Sequence, residues 1–338
     1  MKAAMEENVI MPLSCTRQEI AGISGLLSAM QAQPNDLETL AKIDFAALEQ
    51  VYLVGSGDSY AVALMVEQYL NNRGVIHCRA VQSFEFMGLP TEHFSTRSLV
   101  VVISASGRPS PVLDALARAL TTSARVVGIT NAPGSPFANL SQNMLFTRAC
   151  KKGIPTQSSS ATLFILMALS GRLLQAKTGL PESISINPLS ESQENGEWLK
   201  WLVTSIDDFF SRRVIFLGNG ITKGLAYLAS NLLSCGPQLE ASFFHIEEYC
   251  HALRLNQANQ HHLVIMFPEK NEDRELCEFI QMSLTRQGAL SWCFAPPVQT
   301  GTHQYLQENM LLLFQLSLML AEHYIAMGGE RVTFEGRK

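Results

Sequence analysis

The chain has 338 residues, 47% hydrophobic and 16% charged, with a net charge of −5. That length exceeds what one hydrophobic core usually organises, and the composition excludes a disordered chain, so two globular units of about 150 residues each are expected. The negative balance supplies no basic field for nucleic acid or an anionic membrane, so an anionic ligand has to be held locally.

The start, MKAAMEENVIMPLSC, is acidic where a secretory leader needs a basic region and then an apolar run. The seven cysteines, at 15, 78, 150, 235, 250, 277 and 293, form no C-x-x-C pair and no metal-ligand spacing. Together these predict a cytoplasmic protein without a metal or cofactor. Apolar positions at helical spacing from 16 to 33 (Ile20, Ile23, Leu26, Leu27, Met30) predict a helix that Gln33-Pro34-Asn35-Asp36 ends. Strands are then predicted at 51–54, 76–80, 99–103, 124–129 and 144–147, with helices at 60–71 and 111–120 and a long apolar helix within 156–176. Such alternation implies right-handed crossovers and a parallel sheet.

Gly179-Leu180-Pro181 closes this unit, and 182–196 mixes Ser, Asn, Glu and Pro without periodicity, as a linker does. A second unit repeats the plan: helix 197–210, strand 214–217, Gly218-Asn219-Gly220, helix 222–234, strand 263–267, helix 273–287, strand 290–294 and a closing helix 302–326. Both halves place a Gly-x-Gly turn directly after their first strand, which reads as a duplicated doubly wound α/β unit. The expected organisation is an N-terminal helical segment 1–44, a first domain 45–181, a linker 182–196 and a second domain 197–338. The apolar runs 163–169 and 310–320 read as too short and too interrupted to span a membrane. The helices that contain them carry more apolar face than one sheet covers, which predicts a homodimer.

In such sheets ligands bind beyond the carboxyl ends of the strands. Two loops qualify. Gly55-Ser56-Gly57-Asp58-Ser59 joins a strand to a helix, and its hydroxyls and amides suit phosphate oxygens; the alternative is a plain turn with Ser59 as helix cap. A dinucleotide fingerprint is the rival, but Tyr60 occupies the place of its third glycine, the nearest ribose-binding acid is Glu85, several residues late, and there is no Walker lysine. The second loop, Ser104-Ala105-Ser106-Gly107-Arg108-Pro109-Ser110-Pro111, places Ser110 as N-cap and Pro111 at the first helical position. Ser104 and Ser106 around Gly107 then make an anion cradle without net positive charge; alternatively Ser110 only caps and the other serines are ordinary loop residues.

The strings GSGDSY at 55–60, SFEF at 83–86, ISASG at 103–107, GITNAPGS at 128–135 and the run Thr156-Gln157-Ser158-Ser159-Ser160, in that order and spacing, resemble the sugar isomerase (SIS) domain. FLGNG at 216–220 and EEYCHAL at 247–253 resemble a second, tandem one. The arrangement is similar to the isomerase half of glucosamine-fructose-6-phosphate aminotransferase and to related phosphosugar isomerases, deaminases and fructosamine-type deglycases, over about 45 to 335. The resemblance implies two flavodoxin-like SIS domains and a sugar-phosphate cradle built from Ser56, Gly57, Ser59, Ser104, Ser106 and Gly107. Ser110 stands in for the Ser or Thr that the family carries where this chain has Pro109.

Moving a proton between adjacent sugar carbons needs ring opening and a general acid and base. The resemblance assigns ring opening to His251, which in related dimers reaches the neighbouring subunit's pocket. The family's proton-transferring glutamate falls on Cys235, leaving Glu248 as the favoured replacement, with Glu240 and Glu247 as further candidates. Glu330 stands where the aminotransferase carries its catalytic lysine, which disfavours a glucosamine-6-phosphate synthase-like isomerase. Two functions follow: an isomerase, deaminase or deglycase acting on an amino sugar phosphate or a sugar-phosphate amine conjugate, or a non-catalytic sugar-phosphate sensor. Neither calls for nucleic acid or a membrane as partner.

Overall fold

The computed structural model describes residues 13–32, 40, 42–150, 152–181, 193–251, 260–296 and 301–330. Helices α1 (Leu13–Ala21) and α2 (Ile23–Ala32) stand where one helix is expected. They lead into β1 (Gln50–Gly55), α3 (Asp58–Asn72), β2 (His77–Gln82), α4 (Ser83–Met87), β3 (Ser98–Ile103), α5 (Pro111–Leu120), β4 (Arg125–Thr130), β5 (Met144–Phe146) and α6 (Gln157–Thr178). The second half runs α7 (Gln193–Thr204), α8 (Asp208–Ser211), β6 (Arg213–Gly218), α9 (Lys223–Cys235), β7 (Ala241–Phe244), α10 (Ile246–His251), β8 (His262–Phe267), α11 (Asn271–Arg286), β9 (Leu290–Cys293) and α12 (Thr302–Ala326).

The strands form two wholly parallel sheets, ordered β2-β1-β3-β4-β5 and β7-β6-β8-β9. Alternation along each central strand divides its side chains between two cores, as a period of two demands. Val51 and Leu53 of β1 and Leu99, Val101 and Ile103 of β3 face inward, together with Val214 and Phe216 of β6 and Leu263, Ile265 and Phe267 of β8. Tyr52, Val54, Val100 and Val102 face α4 and α5 on one outer side, while Ile215, Leu217, Val264 and Met266 face α10 and α11 on the other. Helices α3, α6, α9 and α12 fill the space between the sheets and contact one another across it. Gly224 of α9 allows the closest approach: a Cβ there would lie 2.4 Å from Met65 Cγ and 2.6 Å from the Ala61 carbonyl of α3.

The apolar runs 163–169 and 310–320 belong to helices of 22 and 25 residues, so length does not exclude a bilayer crossing, contrary to the sequence expectation. Most of α6 and α12 is buried within the chain, while Leu311 and Met319 of α12 stay half-buried and Ile325 is exposed. The expected helix 197–210 is two helices, broken around 205–207. β7 and α10 were not expected: every residue of β7 is half-buried, so this edge strand carries no alternation to read. Residues 182–192 of the expected linker, Ala252 and Leu253, and the segment 331–335 lie outside the described residues.

Candidate functional site

The order of the first sheet reverses between β1 and β3, because the chain adds β2 on one side of β1 and then crosses to start β3 on the other. Crossovers leave opposite faces there, so the loops after β1 and β3 part and open a crevice. The crevice is a cavity of about 280 Å³. Ser56, Asp58 and Ser59 line it from the first loop, Ser104, Ala105, Ser106, Ser110 and Pro111 from the second, and Pro155, Ser158, Ser159 and Thr162 from the start of α6.

Each loop has a local reason for its shape. Gly57 is the N-cap of α3 at φ +56, so Ser59 lies inside the first turn and is not the cap. Gly107 sits at φ +62, and a Cβ on it would lie 2.1 Å from Ser135 Oγ. Its N–H donates to Ser104 Oγ at 3.2 Å, which curls the second loop around the buried Ser104. Ser110 is the N-cap of α5 with Pro111 behind it, and its hydroxyl makes no capping bond. Ser56 Oγ is 2.6 Å from Ser83 Oγ at the start of α4, while Ser158 Oγ accepts from Asn131 Nδ2 at 2.6 Å. Exposed Arg108 does not line the cavity.

The starts of α3, α5 and α6 thus meet at one cavity. Helix N-termini carry unpaired N–H groups and partial positive charge, and hydroxyls donate to the same oxygens. Among the described residues the lining has no lysine or arginine, so this set of dipoles favours an anion there, opposed by the Asp58 carboxylate.

A clasp from α1 holds the α6 side. The nearly buried Glu19 accepts from the N–H of Gly153 at 2.9 Å and from that of Lys152, and Thr16 Oγ1 accepts from Ile154 N–H at 2.9 Å. Gln157 Nε2 returns a bond to the Glu19 carbonyl at 2.8 Å. The loop that presents Pro155, and with it the first turn of α6 that carries Ser158, is therefore fixed by the N-terminal helix.

The second sheet reverses in the same way between β6 and β8, and polar side chains are bonded to one another around its first turn. The carboxylate of Glu269 lies against Gly220, where a Cβ would be 1.8 Å from Oε2. Asn219 accepts from Ile246 N–H at 3.2 Å and donates to Asp273 at 3.3 Å.

Neither acid-base candidate lines the serine cavity. Glu248 and His251 lie exposed on α10, beside the second sheet, and His251 Nε2 is 3.7 Å from Glu247 Oε1. Cys235 is exposed at the end of α9, and Glu240, Glu247 and Glu330 are on the surface. The single chain brings the serines together and leaves these groups apart from them. Sequence reasoning did not assign Ser158, Ser159, Thr162, Pro155 and Asp58 to the site; the polar run at 156–160 opening an apolar helix was the available signal for the first two.

Residues 45–170 match the SIS domain family. This stretch holds the first sheet, its cavity and the start of α6. The second sheet repeats the first strand order, β7-β6-β8-β9 against β2-β1-β3-β4. The glutamine–fructose-6-phosphate aminotransferase [isomerizing] of Gloeobacter violaceus is 27% identical over 220 residues, covering 61% of this chain and 34% of that protein. The chain spans about a third of the length of such curated relatives. The C-terminal domain of glucosamine-fructose-6-phosphate aminotransferase from Francisella tularensis superposes with a TM-score of 0.69 at 15% identity, over 95% of this chain and 98% of that one. Glucosamine-6-phosphate deaminase from Thermotoga maritima gives 0.67 at 19% identity, over 93% and 95%. Residues 45–170 thus carry a SIS domain, and the chain as a whole shares the fold of these solved structures.

Proposed function

We propose that the chain binds a sugar phosphate in the cavity between β1 and β3, with the phosphate against Ser56, Ser59, Ser104, Ser106 and Ser110 and the amide of Gly57, while Gly107 shapes the second loop by its bond to Ser104. The observation that carries this reading is the meeting of three helix starts and their hydroxyls at one cavity whose lining, among the described residues, has no basic side chain. Its volume of about 280 Å³ lies at the small end of ligand pockets, which suits a phosphosugar better than a dinucleotide. The relative and the solved structures named above carry the names of enzymes of fructose and glucosamine phosphates, which supports the same ligand class.

The reaction is an isomerisation, deamination or deglycation of an amino sugar phosphate or sugar-phosphate amine conjugate, with His251 opening the ring and Glu248 moving the proton. Both are exposed on α10 and away from the cavity of their own chain, so the reaction requires a cytoplasmic homodimer in which α10 of a second copy covers the cavity. A second reading, a sensor that binds without turnover, is favoured by Cys235 and Glu330 standing where relatives carry glutamate and lysine.

The test is a panel of amino-sugar and fructosamine phosphates, scored separately for thermal shift and for product. Binding with turnover supports the enzyme, and binding without turnover across the panel supports the sensor. If neither the panel nor inorganic phosphate shifts the melting temperature, the cavity is not a phosphosugar site.

A further inference from the structure

The serine cavity has a third wall, formed by the start of α6, that the phosphate set proposed above leaves unused. Ser158 in the first turn of that helix lines the cavity and is otherwise buried. Its hydroxyl ends a chain of hydrogen bonds that begins just past β5. Thr147 is fully buried there, and its Oγ1 accepts from Ala149 N–H at 3.3 Å. The Thr147 proton goes to Asn131 Oδ1, and Asn131 Nδ2 donates to Ser158 Oγ at 2.6 Å. The Asn131 backbone N–H donates to the Ala105 carbonyl at 3.2 Å, so this residue braces the second loop as well as α6.

The chain of bonds runs in one direction. A hydroxyl has one proton, and an amide has distinct donor and acceptor ends. Turning the Asn131 amide over would aim its N–H groups at Thr147 and leave the buried Thr147 proton without an acceptor, which is unfavourable. Thr147 thus fixes the amide, and the amide fixes Ser158 as the acceptor of that bond. Among the described residues no hydrogen bond takes the Ser158 proton, so it remains for a group inside the cavity. Ser158 therefore meets a ligand as a donor. The same helix start adds N–H groups and partial positive charge, so the matching atom is an anionic oxygen.

We propose that Ser158 is a sixth hydroxyl of the phosphate cradle, and that Asn131 and Thr147 are the positioning residues that hold its proton toward the ligand. The proposal rests on the phosphosugar reading of the cavity and extends it to the α6 wall. It also gives the loop after β4 a part in binding, although its residues 131–138 are not among those that line the cavity. What the two positioning residues supply is direction. A side chain of the same shape as Asn131 that accepts instead of donating would turn the Ser158 proton away from the ligand.

The experiment is calorimetric titration of the full chain and its variants with inorganic phosphate, with each fold checked by circular dichroism. Ser158→Ala should weaken binding about tenfold or more. Asn131→Asp keeps the shape but offers Ser158 only an acceptor, so it should weaken binding by at least the same factor. Its new carboxylate also repels phosphate, and the double variant separates the two effects. With Ser158→Ala already present there is no hydroxyl to turn, so Asn131→Asp should cost about tenfold less than it does in the wild type. Thr147→Val should lose part of the affinity, and Thr147→Ser, which keeps the hydroxyl, should restore it. Because Thr147 is in the core and its replacement can unfold the chain, the cycle between positions 131 and 158 decides the matter independently. Unchanged affinity in Ser158→Ala, or an equal cost of Asn131→Asp in both backgrounds, overturns the proposal and leaves the phosphosugar reading standing. A wild type that binds no inorganic phosphate overturns both. A wild type that binds phosphate but no member of the sugar-phosphate panel refutes the phosphosugar reading alone, since the cycle is still measured with phosphate.

Discussion

Replacing Gly107 by alanine tests the shape of the cavity independently of which ligand it takes. The residue sits at φ +62, and an alanine held there costs about 1–2 kcal/mol. The added Cβ would also lie 2.1 Å from Ser135 Oγ and 2.6 Å from Ser135 Cβ, well inside contact distance, so the 133–138 turn must move; overpacking of this kind costs about 1–3 kcal/mol. The expected loss of stability is about 2–5 kcal/mol, read by urea unfolding with circular dichroism. Movement of the loop also breaks the bond from Gly107 N–H to Ser104 Oγ, so phosphate affinity should fall about tenfold or more, read by calorimetry. Ser135→Gly removes both clashing atoms and should restore the steric share only. Ser135 Oγ accepts from Ala138 N–H at 3.2 Å, so Ser135→Gly has its own cost and the coupling must be taken from a double-mutant cycle. A coupling of zero between the two substitutions, or an unchanged stability in Gly107→Ala, would refute the geometry given to this loop.

The other expectations concern the site's ligands, its clasp and one buried base. Ser104→Ala should weaken phosphate binding by about 1.5–3 kcal/mol with little change in unfolding, checked by calorimetry. Glu19→Ala leaves the N–H groups of Lys152 and Gly153 unpaired and should cost about 2–4 kcal/mol of stability, with weaker phosphate binding through the displaced Pro155 and Ser158; unchanged binding would mean that the clasp does not position the cavity. On a substrate that is turned over, His251→Ala and Glu248→Gln should lower kcat more than they raise KM, and full turnover in both would remove them from the chemistry. His303, buried at the start of α12, is lowered by burial to about 4. The unfolded chain therefore takes up a proton on this ring below about pH 6.5 while the folded chain does not, so stability falls between pH 6.5 and 4, by up to about 3 kcal/mol, and levels off below. His303→Gln should flatten that part of the stability profile.

The central strands were legible because each is a short apolar run followed by a glycine turn or a polar loop, and α5 and α12 because proline, glycine and polar residues mark where their apolar stretches begin and end. Tertiary context decided the rest. β7 is an edge strand without a buried face, and α4 has five residues, too few for a periodic signal. Glu19 reads in sequence as a solvated position on an amphipathic helix; only the fold brings the amides at 152 and 153 to its carboxylate. The serines at 56, 59, 104, 106 and 110 could be read as a group because each follows a strand at the same sheet edge, whereas the contribution of α6 depends on where its N-terminus packs. Whether α10 reaches any cavity is a question of assembly, and the sequence carries that information only through resemblance.

The helices that open onto the serine cavity are held from behind by the other half of the chain. α3 packs on α9, with Gly224 against Ala61 and Met65, and α6 packs on α12. A substitution in the second sheet that shifts α9 or α12 is therefore transmitted to Ser59 and Ser158 as a rigid displacement of the helix starts that carry them. Affinity at the cavity is then a property of both sheets, and substitutions that restore a weakened site are to be sought on α9 and α12 as well as among the residues that line it.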